Sequence, residues 1–327
     1  MRSKTDTQHL PSGFQLPTPI FLTGATGFIG QRLTQRLLDG GAEVAALVLP
    51  QEEGRAPDGV RVLPGNVADP QTVLQAVAEI RPTLIVHLAA VGVTNPDLPF
   101  PPACRVNVSG TINVLDAARE VGTARRIVLV GSSYEYGARR THDGLDPFNA
   151  YSASKVAAWA FARAAYNTWG APIVWVRPFQ VYGPGQRAKA LIPAAIHAAL
   201  NDEDFPMTAG AQQRDFIFVE DVVAGLLAAA TAPQIEGQVL DLGTGALHRV
   251  RDVVERIWAL AGAQGRILAG ALPYRPGEVP AIPADAERTR RLTGWTAVVG
   301  LDEGLQRTID VMFREVSHGQ GTNILSG

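Results

Sequence analysis

The sequence predicts an α/β protein: a doubly wound parallel sheet joined to a smaller, discontinuous α/β domain. Three observations predict it. An apolar run, Pro19-Ile20-Phe21-Leu22-Thr23, stops at the glycine-rich turn Gly24-Ala25-Thr26-Gly27-Phe28-Ile29-Gly30 and hands over to the helical spacing of Leu33, Leu37 and Leu38. Five runs of strand length, this one included, alternate with helical stretches as far as Val130, the order of a parallel sheet with crossover helices. Beyond Pro178 the composition changes and shorter elements follow.

Composition bounds the function classes. Of 327 residues, 46% are hydrophobic and 18% charged, which suits one large or two modest cores and argues against disorder. A net charge of −2 draws neither nucleic acid nor anionic lipid. The single cysteine, Cys104, offers no internal disulfide and no thiolate metal cluster. It reads as a small half-buried side chain, and its isolation fits a reducing cytoplasm. No metal site is expected. Residues 1–16 are polar with no apolar h-region, so a loose extension is expected and no signal peptide. No apolar run is long enough to span a bilayer. There is no internal repeat, and 317–327 read as an unstructured tail.

The turn over 24–30 is the first candidate site. A strand that ends in a glycine-rich turn and feeds a helix gathers backbone N–H groups and the positive end of the helix dipole, which suits a pyrophosphate. The spacing is G-x-x-G-x-x-G, with the required strand before it and helix after it. Gly40-Gly41 ends the helix, and a second strand is predicted over 44–49. An acid at that strand's end would hold the ribose hydroxyls of NAD. Val48, Leu49 and Pro50 stand there instead, and Arg55 is close enough to serve a 2′-phosphate, so the pattern leans to NADP.

A third strand is predicted over 60–63, closed by Pro64-Gly65-Asn66-Val67-Ala68-Asp69, then a helix over 70–80. Residues 83–88 read as a buried fourth strand running into Ala89-Ala90, whose small side chains let a flat cofactor approach. His87, inside this run, reads as a satisfied core histidine. A proline-rich loop is expected over 91–102 and a helix over 105–121 containing Asn107 and Asn113. The fifth strand, 126–130, ends at Gly131-Ser132-Ser133-Tyr134-Glu135-Tyr136-Gly137. Ligands of such sheets bind beyond the carboxyl ends of the strands, where Gly24 to Gly30, Ala89-Ala90 and Ser132-Ser133 all fall. After Pro178, helices are predicted over 191–200, 221–230, 250–261 and 301–313, a short strand over 216–219, and a strand over 239–242 that returns to the main sheet.

Tyr151-Ser152-Ala153-Ser154-Lys155 opens an alanine-rich run that reads as a helix. Positions four apart share a helical face, so the phenol and the ammonium project side by side. A nearby cation favours phenolate and lowers the tyrosine pKa toward neutrality, where it serves as general acid or base.

A glycine turn, a hydroxyl at the end of the fifth strand and a Tyr/Lys helix form a specific combination. The chain resembles the extended short-chain dehydrogenase/reductases, the NAD-dependent epimerase/dehydratase family acting on nucleotide sugars. The matching segments are Thr23 through Gly30, Ser132 through Gly137, Tyr151 through Lys155, Arg177-Pro178-Phe179-Gln180-Val181-Tyr182-Gly183-Pro184-Gly185, Gln213-Arg214-Asp215-Phe216-Ile217-Phe218-Val219-Glu220-Asp221-Val222 and Arg275-Pro276-Gly277-Glu278. They cover nearly the whole chain. The resemblance implies a Rossmann fold over 17–178 with about 214–248, and a substrate domain from 179–213 and 249–316.

It also implies roles. Tyr151 would be the acid/base on a sugar hydroxyl or keto oxygen, and Lys155 would bind the nicotinamide ribose and stabilise the phenolate. Ser132, with Ser133 as the alternative, would hydrogen-bond the same sugar oxygen. Beside Tyr151 and Lys155, the cofactor would contact Gly24, Gly27, Phe28, Ile29, Gly30, Asn66, Val67, Leu88, Ala89, Ala90 and Pro178. Arg214 and Arg275 would clamp the nucleotide diphosphate, with Ser133 and Gln180 also on the substrate; for Arg214 the competing reading is a plain pair with Asp215. Two departures stand out. Gln180 replaces the family's common asparagine, and Ser133-Tyr134 replace the Asp-Glu pair of the 4,6-dehydratases, which makes dehydration the least favoured activity.

The resemblance implies a cytoplasmic NAD(P)-dependent oxidoreductase of nucleotide-diphosphate sugars working at the sugar C4. A 4-keto-sugar reductase using NADPH leads, and a 4-epimerase retaining NAD is the alternative. From a different class, a non-catalytic dinucleotide-binding sensor competes, against which the complete Ser/Tyr/Lys set argues. A homodimer formed through helices 105–121 and 151–166 is expected by analogy.

Overall fold

Seven short runs associate into one parallel sheet in the computed structural model, which describes residues 17–93, 95, 97–138, 141–274 and 280–317. The strands are β1 (Ile20–Thr23), β2 (Val44–Val48), β3 (Arg61–Pro64), β4 (Leu84–His87), β5 (Arg126–Val130), β6 (Ile173–Pro178) and Val239–Leu242. Their spatial order is Val239–Leu242, β6, β5, β4, β1, β2, β3, and every pairing is parallel. β1, β2, β4, β5 and β6 are buried along their whole length because helices cover both faces. Such strands are continuously apolar where a half-exposed strand would alternate. β6 goes unnamed in the sequence reading, although Ile173-Val174-Trp175-Val176 is a run of the same kind.

The chain winds outward from β1 to β3, returns to β4, and winds out on the other side. The crevice at that reversal lies beyond the carboxyl ends of β1 and β4, where open α/β sheets bind ligands. On one face, Leu33 and Leu37 of the helix Phe28–Asp39 pack with Val222 and Leu226 of the helix Val219–Thr231. On the other, the helices Pro70–Ile80, Gly110–Val121 and Ala150–Trp169 contribute Val73, Val77, Leu115, Ala158 and Ala162. Each large side chain buried this way stabilises the fold by roughly 1.5–3 kcal/mol.

The helix expected from residue 105 begins earlier, at Phe100. Pro101 and Pro102 sit in its first turn, where a missing N–H breaks no helical hydrogen bond. A π-helical turn, Cys104–Ser109, joins it to Gly110–Val121. Cys104 is exposed on that turn, where the sequence reading has it half-buried.

A third apolar cluster lies outside the sheet, built from Tyr182, Ile192, Ile196, Phe216, Phe218, Val253, Ile257, Leu305 and Ile309. Helix Leu301–Ser317 runs past its predicted end at 313, so Ser317 is helical; 318–327 and 1–16 lie outside the described residues. Helix Ala286–Thr293 has no counterpart in the sequence reading. Half of its residues are charged, only Thr289 is buried, and its start is set by the Asp285 carboxylate accepting from the Arg288 amide at 3.0 Å. Among the described residues, no helix is long and apolar enough to cross a membrane.

Candidate active site

The turn after β1 works because it lacks side chains. Gly24 has φ +75°, and a Cβ there would stand 2.7 Å from the Ala89 amide nitrogen and 2.9 Å from the Leu88 carbonyl carbon. A Cβ on Gly30 would fall 2.0 Å from the Gly24 carbonyl oxygen. The loop, the first helix and the end of β4 therefore close together only as glycine contacts. Gly27 is the N-cap of helix Phe28–Asp39 and has no side chain to accept from the first-turn amides of Phe28, Ile29 and Gly30, which leaves a cradle for an anion. The Leu88 amide donates to the Thr23 carbonyl at 3.1 Å, and the Ala89 amide to Thr23 Oγ1 at 3.3 Å. The turn after β3 is fixed by Asn66 Oδ1, which accepts from the Ala68 amide (2.9 Å), and by the Val67 carbonyl, which accepts from Asn113 Nδ2 (2.9 Å). With Ala90 after β4 and Pro178 at the end of β6, the predicted cofactor contacts share the carboxyl edge of the sheet, and the uncapped first-turn amides offer donors suited to a pyrophosphate.

The ribose end of that crevice departs from the sequence reading, which has no carboxylate after β2. A 3-10 turn, Pro50–Arg55, folds the chain back, and Glu52 Oε2 accepts from Thr26 Oγ1 of the glycine turn at 2.7 Å. Arg55 Nη1 lies 3.5 Å from the same carboxylate. Arg55 is thus engaged by an acid in place of standing as a lone cation. Counting along a straight strand misses Glu52 because Pro50 starts a turn.

Helix Ala150–Trp169 starts on a capping box: Asn149 Oδ1 accepts from the Ser152 amide (2.8 Å), and Ser152 Oγ accepts from the Asn149 amide (3.1 Å). That start fixes Tyr151 in the first turn and Lys155 one turn later, both buried. Lys155 Nζ donates to the Val130 carbonyl at the end of β5 at 2.7 Å and lies 6.0 Å from the Tyr151 ring centre. Ser154 Oγ donates to the Tyr151 carbonyl (2.7 Å) and accepts from Asn107 Nδ2 (2.8 Å). Asn107 also binds both the N–H and the C=O of Val91. Asn107 and Ser154 therefore tie the Tyr helix to the loop after β4, and the π-helical turn carries Asn107 to that position.

The electrostatics correct the sequence expectation for Tyr151. Burial pushes its pKa up, Glu135 and Tyr134 add to the rise, and the Ser132 hydroxyl opposes it. Burial also brings Lys155 down to about 8, against Glu135, which holds it up. The phenol is neutral in this arrangement, and the group that favours phenolate is the Ser132 hydroxyl.

Ser132 caps a short turn, Ser133–Glu135: its Oγ accepts from the Tyr134 amide at 3.2 Å, and Glu135 Oε1 accepts from the Ser132 amide at 2.8 Å. Glu135 is 0% exposed and also accepts from Trp175 Nε1 (3.2 Å) and Arg177 Nε (2.8 Å). Arg177 Nη1 donates to the Tyr136 hydroxyl (3.0 Å), which donates to Asp241 (2.9 Å). The Ser132–Glu135 box is a local S-x-x-E spacing, whereas the pairings of Glu135 and Tyr136 with Trp175, Arg177 and Asp241 span 40 to 105 residues and carry no local signal.

Beside this floor opens a shallow cleft, partly open to solvent, lined by Ser133, Tyr134, Phe148, Phe179, Gln180, Arg214 and Ile282 among others. Tyr134 meets Tyr151 edge-on at 6.4 Å and Phe148 at 5.5 Å. The structure thus brings Ser133, Gln180 and Arg214 to one cleft. Arg275 lies outside the described residues. Asp215, the competing partner for Arg214, is buried, and its carboxylate accepts from Thr244 (amide 2.8 Å, hydroxyl 2.7 Å), the Gly245 amide (2.9 Å) and the Ala284 amide (3.0 Å). His87 is a core histidine held between Thr23 Oγ1 (2.7 Å) and Thr111 Oγ1 (3.2 Å).

With this geometry established, the chain matches the profile of the NAD dependent epimerase/dehydratase family over residues 20–243. It is 30% identical to the UDP-glucose 4-epimerase of Mycolicibacterium smegmatis, over 90% of this chain and 98% of that protein. Among solved structures it resembles MoeE5 in complex with UDP-glucuronic acid and NAD, at 32% identity and a TM-score of 0.81, covering 91% of this chain and 100% of that one. It also resembles the UDP-glucose 4-epimerase of Thermus thermophilus in complex with NAD, at 28% identity and a TM-score of 0.79, covering 90% and 98%.

Proposed function

Because the chain belongs to the NAD-dependent epimerase/dehydratase family, we propose that it is an NAD-dependent nucleotide-sugar 4-epimerase with Tyr151 as its acid/base. The observation that carries this reading is the Tyr151 phenol, interacting with the Ser132 hydroxyl and one helical turn from Lys155. The glycine turn, the end of β4 and the Tyr helix would hold the cofactor, with Lys155 toward the nicotinamide ribose. Bound NAD would supply the hydride acceptor that oxidises the sugar at C4 and then reduces it again.

The protein's own work is proton transfer and orientation. Ser132 and Tyr151 hydrogen-bond the C4 oxygen; Tyr151 takes its proton in the first half of the cycle and restores it in the second. Burial keeps the resting phenol protonated, so the base form has to be drawn out by the Ser132 hydroxyl. Arg214 meets the diphosphate from the cleft wall. Dehydration is disfavoured because Ser133 and Tyr134 offer no carboxylates, and the next residue, Glu135, is buried against Arg177.

Glu52 supports NAD in place of the NADP to which the sequence leans, since a carboxylate accepts from a ribose 2′-hydroxyl and repels a 2′-phosphate. Relatives named for UDP-sugars make UDP-glucose and UDP-glucuronate the first substrates to assay. A homodimer through the two helices that expose Phe100 and Phe161 belongs to the same proposal; light scattering at the monomer mass would remove it.

A 4-keto-sugar reductase is the second reading, favoured by the neutral phenol, the form that donates a proton. Mass spectrometry of nucleotide released on denaturing the purified protein separates the two. Stoichiometric NAD supports the epimerase; an empty site that then prefers NADPH over NADH supports the reductase. Tyr151→Phe should lower turnover about 10²–10⁴-fold while sparing cofactor binding, and retained turnover would remove both.

A further inference from the structure

We propose that Glu135 is a positioning residue of this site: its buried carboxylate locks the Ser132 loop against Tyr151 and keeps a negative charge beneath Lys155. The proposal rests on the acid/base reading of Tyr151 and adds a residue that no part of that reading uses.

The geometry is specific. Glu135 Oε1 accepts from the Ser132 amide at 2.8 Å while the carboxylate is held by Arg177 Nε at 2.8 Å and Trp175 Nε1 at 3.2 Å. The chain makes room for it at Gly131, where a Cβ would stand 2.1 Å from Glu135 Oε1 and 2.3 Å from Trp175 Nε1. Capping a three-residue turn does not require a fully buried charge, because a surface side chain caps equally well. Burying one costs several kcal/mol before Arg177 offsets it. The arrangement has a use if the charge acts on its neighbours.

Those neighbours are the catalytic candidates. The turn holds Ser132 Oγ as acceptor of the Tyr134 amide, leaving its proton to donate toward the phenol or a sugar oxygen. From helix Ala150–Trp169, Tyr151 and Lys155 both feel the Glu135 charge, which raises each of them, burial being the larger influence on both. From β6 Arg177 opposes it; on its own turn Tyr136 relays to Asp241. His87 on β4 faces Lys155, stays neutral, and adds no charge. Against the larger downward push of burial, the Glu135 charge keeps the Lys155 ammonium charged further up the pH scale than burial alone would leave it.

The chain has three lysines, Lys4, Lys155 and Lys189, so ¹³Cε-lysine labelling reports Lys155 directly by NMR without any substrate. In Glu135→Gln the Lys155 midpoint, about 8 in the native protein, should fall by about one pH unit, and the alkaline limb of kcat should move with it. Glu135→Asp keeps the charge but withdraws from the Ser132 amide. It should leave the midpoint near the native one and lower kcat about tenfold with KM unchanged, and it serves as the test by itself should Gln prevent folding. An unmoved midpoint in Glu135→Gln, or native kcat in Glu135→Asp, would overturn the proposal. Absence of turnover in the native protein on UDP-sugars would count against the epimerase reading and leave the NMR result standing.

Discussion

The two sides of the candidate site are built by opposite means. On the cofactor side, around the turn after β1, the site is backbone: Gly24 and Gly30 let the loop, the first helix and the end of β4 approach within distances that any Cβ would forbid. On the sugar side, under the cleft, it is a buried polar relay from the Ser132 amide through Glu135, Arg177 and Tyr136 to Asp241. The first is made by leaving atoms out, and its tolerance for change is steric and abrupt. The second is made by pairing groups that burial penalises, so its tolerance is graded and electrostatic.

Breaking the steric side should give the largest effect. Gly30→Val places side-chain atoms against the Gly24 carbonyl, where even a Cβ would sit at 2.0 Å. NADH affinity, followed by fluorescence, should fall roughly 100-fold or more, about 2.7 kcal/mol. Native affinity in this variant would show that the turn does not hold the dinucleotide. Breaking the relay should cost less and strike stability first. Tyr136→Phe leaves Asp241 without its hydroxyl donor and Arg177 Nη1 without its acceptor, a loss of about 1–3 kcal/mol. Thermal unfolding should begin several degrees lower while NADH affinity stays within about threefold. If the two variants gave the same pattern, the distinction between the halves would fail.

The same contrast explains what can be read from the sequence. The glycine turn, the strand before it and the Tyr/Lys spacing are local patterns, and Gly24, Gly30, Tyr151 and Lys155 are visible as such. The partners that set their chemistry are not local. Glu135 meets Arg177 across 42 residues and Tyr136 meets Asp241 across 105. The sign of the Tyr151 shift is misjudged from the sequence for that reason: four-residue spacing reveals the nearby cation, whereas the burial that dominates the shift depends on the whole fold. Glu52 is missed because its approach to Thr26 depends on the turn at Pro50. Asn149 is within reach of the sequence, since an Asn just before a helical run is a preferred N-cap.

The last expected effect concerns His87, packed at the foot of the glycine turn. Its Nδ1 faces Thr23 at the foot of the glycine turn, and its Nε2 faces Thr111. The Thr111 hydroxyl donates to the Asn107 carbonyl at 2.8 Å, so Nε2 carries the ring proton and Nδ1 accepts from Thr23. Burial, and secondarily the Lys155 charge, bring the His87 pKa from 6.5 to about 3. Between those values the unfolded chain binds a proton that the folded one refuses. The contribution to stability is therefore complete above pH 6.5 and is lost as pH falls toward 3, amounting to about 2 kcal/mol by pH 5. Glu135, Asp221 and Asp241, whose pKa values burial raises, pull the other way in acid, so the measurement has to be a difference. Denaturant unfolding at pH 7 and pH 5 should show His87→Gln losing less stability between the two than the native protein. Equal losses would mean that the histidine is not held neutral in the folded protein.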